Sequence, residues 1–270
     1  MNEVNSVPRL LQLLEYHQKS FPLLQTRQMM EVHMKYEVIL FDMDDTLFDF
    51  RLSEEEALQK TFLEFGMPKG VSDYRTSYRE ISSILWGELE QGMIMLSELK
   101  VERFRRLFLK HGLEVDAKEF GNRYLENLGK GFHLKPGAEK LCKNLSNYRL
   151  AVLSNGFHTV QDSRIKRSAL NNTFVDLITS ERAGYQKPDS RIFDYAFSKL
   201  QIKDKDRVLI VGDSLTSDIK GGVNYGIDTC WFNPDHRKNC TDVLPTYEIQ
   251  ELIDLQKILS KSKCKENFID

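Results

Sequence analysis

Short apolar runs alternate with longer amphipathic stretches from residue 37 onward, and the two periods predict strands and helices in turn. The runs are Val38-Ile39-Leu40-Phe41, Leu150-Ala151-Val152-Leu153, Val175-Asp176-Leu177-Ile178, Val208-Leu209-Ile210-Val211 and Thr229-Cys230-Trp231-Phe232. The first, second and fourth are wholly apolar, as strands covered on both faces of a parallel sheet must be. Helical spacing predicts helices over 136–145, 159–170, 190–200 and 217–225. Alternating strands and helices define a doubly wound α/β fold.

One connection breaks this rhythm. Roughly 80 residues separate the first strand from the next helix-strand unit, far more than an ordinary loop, and every signal within them is helical. Ser53 with Glu56 reads as a capping box ahead of Ala57, Leu58, Thr61, Phe62 and Phe65, with Gly66 closing the run. A second helix carries Tyr74, Tyr78, Ile81, Leu85 and Leu89 before Gly92. A third opens at Ser97 and carries Val101, Phe104, Leu107 and Phe108 before Gly112, and a fourth carries Phe120, Tyr124 and Leu128 before Gly129. The expected organisation is therefore a four-helix cap over 51–132, inserted into a sheet domain formed by 34–50 and 133–260. Residues 1–33 are a polar, Gln-rich extension without a motif, either a surface helix or sequence upstream of a true start at Met34. A chain starting at Met34 is expected to fold and to keep its activity.

Composition narrows the partners more than the fold. A net charge of -2 supplies no basic field for a nucleic acid polymer or an anionic membrane. No apolar run approaches a membrane span, and none at the N-terminus reads as an export signal. Cys142, Cys230, Cys240 and Cys264 form no C-x-x-C pair, which argues against a zinc site and for reduced thiols in the cytoplasm. The partner expected instead is a small metabolite.

In an open α/β sheet ligands bind beyond the carboxyl ends of the strands, and the residues found there share one chemistry. Asp42-Met43-Asp44-Asp45-Thr46 follows the first strand and Ser154-Asn155-Gly156 the second. Lys187-Pro188 lies in the loop beyond the third, and Gly212-Asp213-Ser214 follows the fourth, with Asp218 beyond. A carboxylate cannot approach a phosphate dianion unaided, so acidic groups on oxygen-rich loops call for a hard cation, Mg2+ rather than Ca2+. Lys187 neutralises further charge, while Thr46, Ser154 and main-chain amides near Asn155 can hold phosphate oxygens. An aspartate can form an acyl-phosphate, and a second carboxylate two positions on can serve as acid and base. Asp45 reads as a turn residue and His158 as an exposed loop histidine.

In this order the residues resemble the four motifs of the haloacid dehalogenase (HAD) superfamily: Asp42-Met43-Asp44-Asp45-Thr46, Ser154, Lys187, and Gly212 to Asp218. The resemblance implies that Asp42 is nucleophile and metal ligand. It implies that Asp44 is acid/base and a ligand through its main-chain carbonyl, that Asp213 completes an Mg2+ site, and that Asp218 orients Lys187 or a metal-bound water. Leu40 to Phe50, Leu85-Trp86 with Gly92, and Gly212 to Gly222 followed by Asp228 to Pro234 are similar to the pyrimidine 5'-nucleotidase group, whose members act on nucleoside monophosphates. On that resemblance Trp86 and Phe48 are candidates to contact the base, while Tyr78 reads as cap packing. Two other readings stay open: a sugar-phosphate or other metabolite phosphatase on the same scaffold, and a non-enzymatic receiver-like phospho-switch. Hydrolytic dehalogenation is disfavoured, since it needs neither the second aspartate nor a metal site.

Overall fold

Every residue of β1 (Val38–Phe41) is buried because the strand runs through the middle of the sheet. In the computed structural model, which describes residues 34–261, β1 is flanked by β2 (Arg149–Ser154) and β4 (Val208–Gly212), both parallel to it. With β3 (Asp176–Thr179), β5 (Asp228–Phe232) and β6 (Tyr247–Ile249) the sheet has the order β3-β2-β1-β4-β5-β6. The chain moves outward from β1 on one side, then returns to β4 on the other. A crevice therefore opens between the carboxyl ends of β1 and β4. Ile39 and Phe41 pack with Val152, Leu209 and Val211 on one face, while Val38 and Leu40 pack with Ala151, Leu153, Val208 and Ile210 on the other. Burial of both faces is why these strands read as unbroken apolar runs. β6 escapes that reading: it has three residues and only Ile249 is buried.

Four helices fill the connection after β1: α1 (Phe50–Glu64), α2 (Gly70–Glu90), α3 (Leu96–His111) and α4 (Ala117–Leu128). Their apolar stripes meet in a cluster of their own that includes Phe62, Tyr78, Leu85, Phe104, Phe120 and Tyr124. The start of α1 corrects the expected capping box. Asp49, not Ser53, is the N-cap, its carboxylate accepting from Leu52 N at 3.0 Å, and Ser53 turns its hydroxyl back to the Asp49 carbonyl. Likewise α3 opens one residue early, at Leu96, where Glu98 accepts from Met95 N at 2.8 Å. Gly112 ends α3 in the left-handed region at φ 61, a conformation a side chain would disfavour.

After the cap come α5 (Ala138–Asn144), α6 (His158–Arg167), the single turn α7 (Ser180–Ala183), α8 (Ser190–Leu200), α9 (Lys220–Tyr225) and α10 (Leu255–Lys261). α5 and α10 cover one sheet face and α8 the other. Helix α9 is shorter than expected, because residues 215–219 form a π-type turn ahead of it. Among the described residues no helix is long and apolar enough to cross a membrane. The 1–33 extension and Cys264 lie outside the described residues.

Candidate active site

Asp42 after β1, Lys187 in the loop beyond β3 and Asp218 in the turn after β4 meet at one buried point. Lys187 Nζ donates to Asp42 Oδ1 at 2.7 Å, to Asp218 Oδ1 at 2.6 Å and to the Leu153 carbonyl at 2.5 Å. Three acceptors around one ammonium satisfy all three of its protons. Asp218 can come so close because residue 212 is glycine: a Cβ there would lie 2.2 Å from Asp218 Oδ2. The second oxygen of Asp218 accepts from Ser214 N at 3.1 Å, so its position is fixed from both ends. Asn155 grips the backbone of Lys187, accepting from its N at 2.7 Å and donating to its carbonyl at 2.8 Å. This grip is a side-chain role of Asn155 that the sequence does not reveal.

Carboxylate oxygens of Asp42, Asp213 and Asp218 lie within 4.8 Å of one another. Burial pushes the Asp42 carboxyl well above its ordinary range, and Asp218 adds to the rise against the opposing pull of Lys187. Asp213 is pushed up to about 7 by burial, then by the charges of Asp218 and Asp45. Burial alone would lower the pKa of Lys187, but Asp218 and Asp42 outweigh it and raise it. A largely buried all-oxygen cluster with more carboxylates than cations, in which burial and then neighbouring charge raise Asp42 and Asp213, fits a hard divalent ion. The carboxylate of Asp44 is not part of this cluster.

Asp44 is instead engaged by α6. Arg164 Nη1 donates to Asp44 Oδ1 in a very short contact, and Gln161 Nε2 donates to Asp44 Oδ2 at 2.7 Å and to Ser154 Oγ at 2.8 Å. Neither partner carries a sequence signal beyond polar spacing on a helix. Thr46 is fully buried, and its hydroxyl makes no hydrogen bond within the protein, which suits a group awaiting a ligand oxygen. Asp45 takes a left-handed turn at φ 60 and pairs with Lys135 at 3.2 Å. Arg237 Nη2 and Trp231 Nε1 both donate to the Asp213 carbonyl, at 2.8 and 3.0 Å.

Two expectations need correction. Phe48 has no surface to offer a base: it is 0% exposed and packs in the sheet core beneath the Arg164 guanidinium. His158 is not in an exposed loop but begins α6, half-buried, where burial followed by the charge of Arg182 lowers its pKa. Trp86 is half-buried against the cap cluster, and Tyr78 is wholly buried there. The last turn of α2 meets the core, since Gln186 Nε2 donates to the Leu89 carbonyl at 2.7 Å. Its neighbour Glu90, which the sequence did not single out, lies within the electrostatic reach of Asp218 and Lys187, and burial raises its pKa. An open cleft of about 840 Å³ beside Asp213 is lined by Asp45, Asp49, Lys135 and Arg237 among others.

A doubly wound sheet with an aspartate after β1, a lysine-clamped carboxylate pair and a helical insertion defines a HAD-type hydrolase. The haloacid dehalogenase-like hydrolase family matches residues 36–226, and the chain belongs to that family. Pyrimidine 5'-nucleotidase PynA of Streptococcus pneumoniae is 36% identical, covering 85% of this chain and 97% of its own. Pyrimidine 5'-nucleotidase YjjG of Escherichia coli is 33% identical over 84% of this chain and 100% of its own. The solved structure of the HAD-hydrolase YfnB of Bacillus subtilis, bound to magnesium, superposes with a TM-score of 0.78 at 38% identity, covering 83% of this chain and 99% of that one.

Proposed function

We propose that this chain is an Mg2+-dependent phosphomonoester hydrolase that acts through an aspartyl-phosphate on Asp42, with pyrimidine nucleoside 5'-monophosphates as substrates. The observation that carries the reading is the Lys187 ammonium hydrogen-bonded to both Asp42 and Asp218 at the buried end of the crevice. The hydrogen bond orients Asp42 and leaves its carboxylate a nucleophile beside a fixed positive charge. Asp42, Asp213 and the Asp44 carbonyl would hold Mg2+, whose charge, when it is bound, offsets the carboxylates so that a phosphate dianion can approach.

In the first step an Asp42 oxygen attacks phosphorus, the bond from phosphorus to the alcohol oxygen breaks, and Asp44 gives that oxygen its proton. Water then attacks the phosphorus of the aspartyl-phosphate while Asp44 takes a proton from it. The bond from phosphorus to Asp42 breaks, inorganic phosphate leaves, and both carboxyl groups return to their starting state. Thr46 and Ser154 hydroxyls and the amides near Asn155 bind the phosphate oxygens. The base preference is supported by the pyrimidine nucleotidase relatives and by Trp86, one turn before the α2 end that rests on Gln186. Free Cys142, Cys230 and Cys240 support a cytoplasmic setting.

Phosphate release across pyrimidine and purine nucleotides and sugar phosphates, with Mg2+ and with chelator, tests the proposal. The expected result is Mg2+-dependent turnover with the highest kcat/KM on a pyrimidine nucleotide. A preference for hexose phosphates would overturn the nucleotidase assignment, and undiminished turnover in chelator would overturn the metal requirement.

A further inference from the structure

We infer that Arg164 and Gln161 are positioning residues for Asp44, forming a rigid cradle on α6 that fixes the acid/base carboxylate for proton transfer. The inference rests on the acid/base role proposed above for Asp44, and it concerns two residues outside the motif positions. They lie three apart on α6 and so share one helix face. Between them they occupy both oxygens of Asp44: Arg164 Nη1 on Oδ1 and Gln161 Nε2 on Oδ2 at 2.7 Å. They are also joined to each other, since Arg164 Nη1 donates to Gln161 Oε1 at 2.9 Å.

The cradle is itself immobilised, and a ligand of an acid/base group must be immobile to be useful. Arg164 is 0% exposed. Its Nε donates to the Gly131 carbonyl at 3.2 Å, in the segment that returns from the cap. Its guanidinium lies 5.2 Å from the Phe48 ring centroid and 5.9 Å from that of Phe50. A free arginine side chain samples many rotamers, and here packing has already removed that freedom. Gln161 is 2% exposed and spends its other contact on Ser154 Oγ at 2.8 Å, so the cradle spans from the acid/base residue to a phosphate-binding hydroxyl. Among the described residues Asp44 is the one carboxylate in ion-pair range of Arg164. A cation buried for packing alone has no reason to choose, across 120 positions of sequence, the aspartate two residues beyond the nucleophile. This also gives the buried Phe48 its place: it supports the arginine rather than the substrate.

A general acid matters most where the leaving group is a poor one, and this separates positioning from mere stability. The test is kcat/KM for a series of substituted phenyl phosphates of graded leaving-group acidity and a simple alkyl phosphate, for the wild type, Arg164→Met, Gln161→Met, Arg164→Lys and Asp44→Asn. Thermal unfolding of each variant is recorded alongside. Correct positioning of an acid/base group is worth about 10²-fold or more. The expected result for Arg164→Met is a loss of about 10²-fold on the alkyl phosphate and less than about tenfold on the best leaving group, a steeper slope that approaches that of Asp44→Asn. Gln161→Met, a neutral change of similar size, should steepen the slope in the same direction and keeps the test valid if Arg164→Met fails to fold. Arg164→Lys should recover part of the loss. A uniform loss across the series in the folded α6 variants, or a gain on the alkyl phosphate, would overturn the inference while a steep Asp44→Asn slope leaves the proposed function standing. A flat slope for Asp44→Asn would instead overturn the acid/base role, and with it the inference.

Discussion

Replacing Asp213 with asparagine should make the metal-free protein more stable at pH 8 and leave it nearly unchanged at pH 4. Asp213 is held up from an ordinary 3.8 to about 7, by burial first and by Asp218 and Asp45 next. In that window the folded protein binds a proton that the unfolded chain has released, so stability falls as pH rises from about 4 to about 7, and the penalty is complete above the folded value. At about 1.36 kcal/mol per tenfold in proton affinity, the full rise corresponds to a ceiling of roughly 4 kcal/mol. The side chain is 23% exposed, and relaxation and solvent screening reduce the ceiling, so about 1 to 2 kcal/mol is the working expectation. Asparagine fills nearly the same space and carries no charge. Losing the 3.6 Å approach of the half-exposed Arg237 costs little, because exposed pairs contribute about 0 to 1 kcal/mol. For a chain of this size the gain corresponds to a Tm rise of about 2 to 8 °C. The assay is thermal unfolding in chelator at pH 4 and pH 8, with wild type and variant side by side. Asp213→Asn should also lose Mg2+-dependent stabilisation, whereas the wild type gains it increasingly as pH rises and the carboxyl ionises. A variant less stable than wild type at pH 8, or shifted equally at both pH values, would refute the account of a carboxyl raised by burial and neighbouring charge.

Three further outcomes follow from the same geometry. Asp42→Asn should lower kcat by on the order of 10³ or more on any phosphate ester while keeping the fold, and unchanged turnover would rule out a covalent route through Asp42. Trp86→Leu should weaken kcat/KM on UMP by about one to two decades, given roughly 1 to 3 kcal/mol per stacked base, with a smaller effect on an aryl phosphate; equal losses on both would mark Trp86 as packing only. Gly212→Ala places a methyl group 2.2 Å from Asp218 Oδ2, so Asp218 must leave Lys187; kcat should fall sharply and thermal stability with it, and wild-type values for both would show that Asp218 is not needed there.

What the chain pattern determines by itself is what depends on local period and on order. Strands covered on both faces cannot hide their apolar runs, so β1, β2 and β4 were legible, and the helical cap was legible because nothing but helix fits stripes of that spacing between Phe50 and Leu128. Asp42, Lys187 and Asp218 could be named because a parallel sheet must gather its strand ends, and the structure brings these three together. Tertiary structure decided the rest. Phe48 and Trp86 were alike as aromatic candidates to contact a base, yet one lies in the core and the other is half-buried in the cap. Ser53 competes with Asp49 for the same helix start, and the carboxylate wins by accepting the Leu52 amide. Arg164 and Gln161 reach Asp44 across 120 and 117 positions, and Asn155 reaches Lys187 across 32. Such contacts join residues with no common period or spacing, so they exist only once the sheet and α6 have been packed against each other.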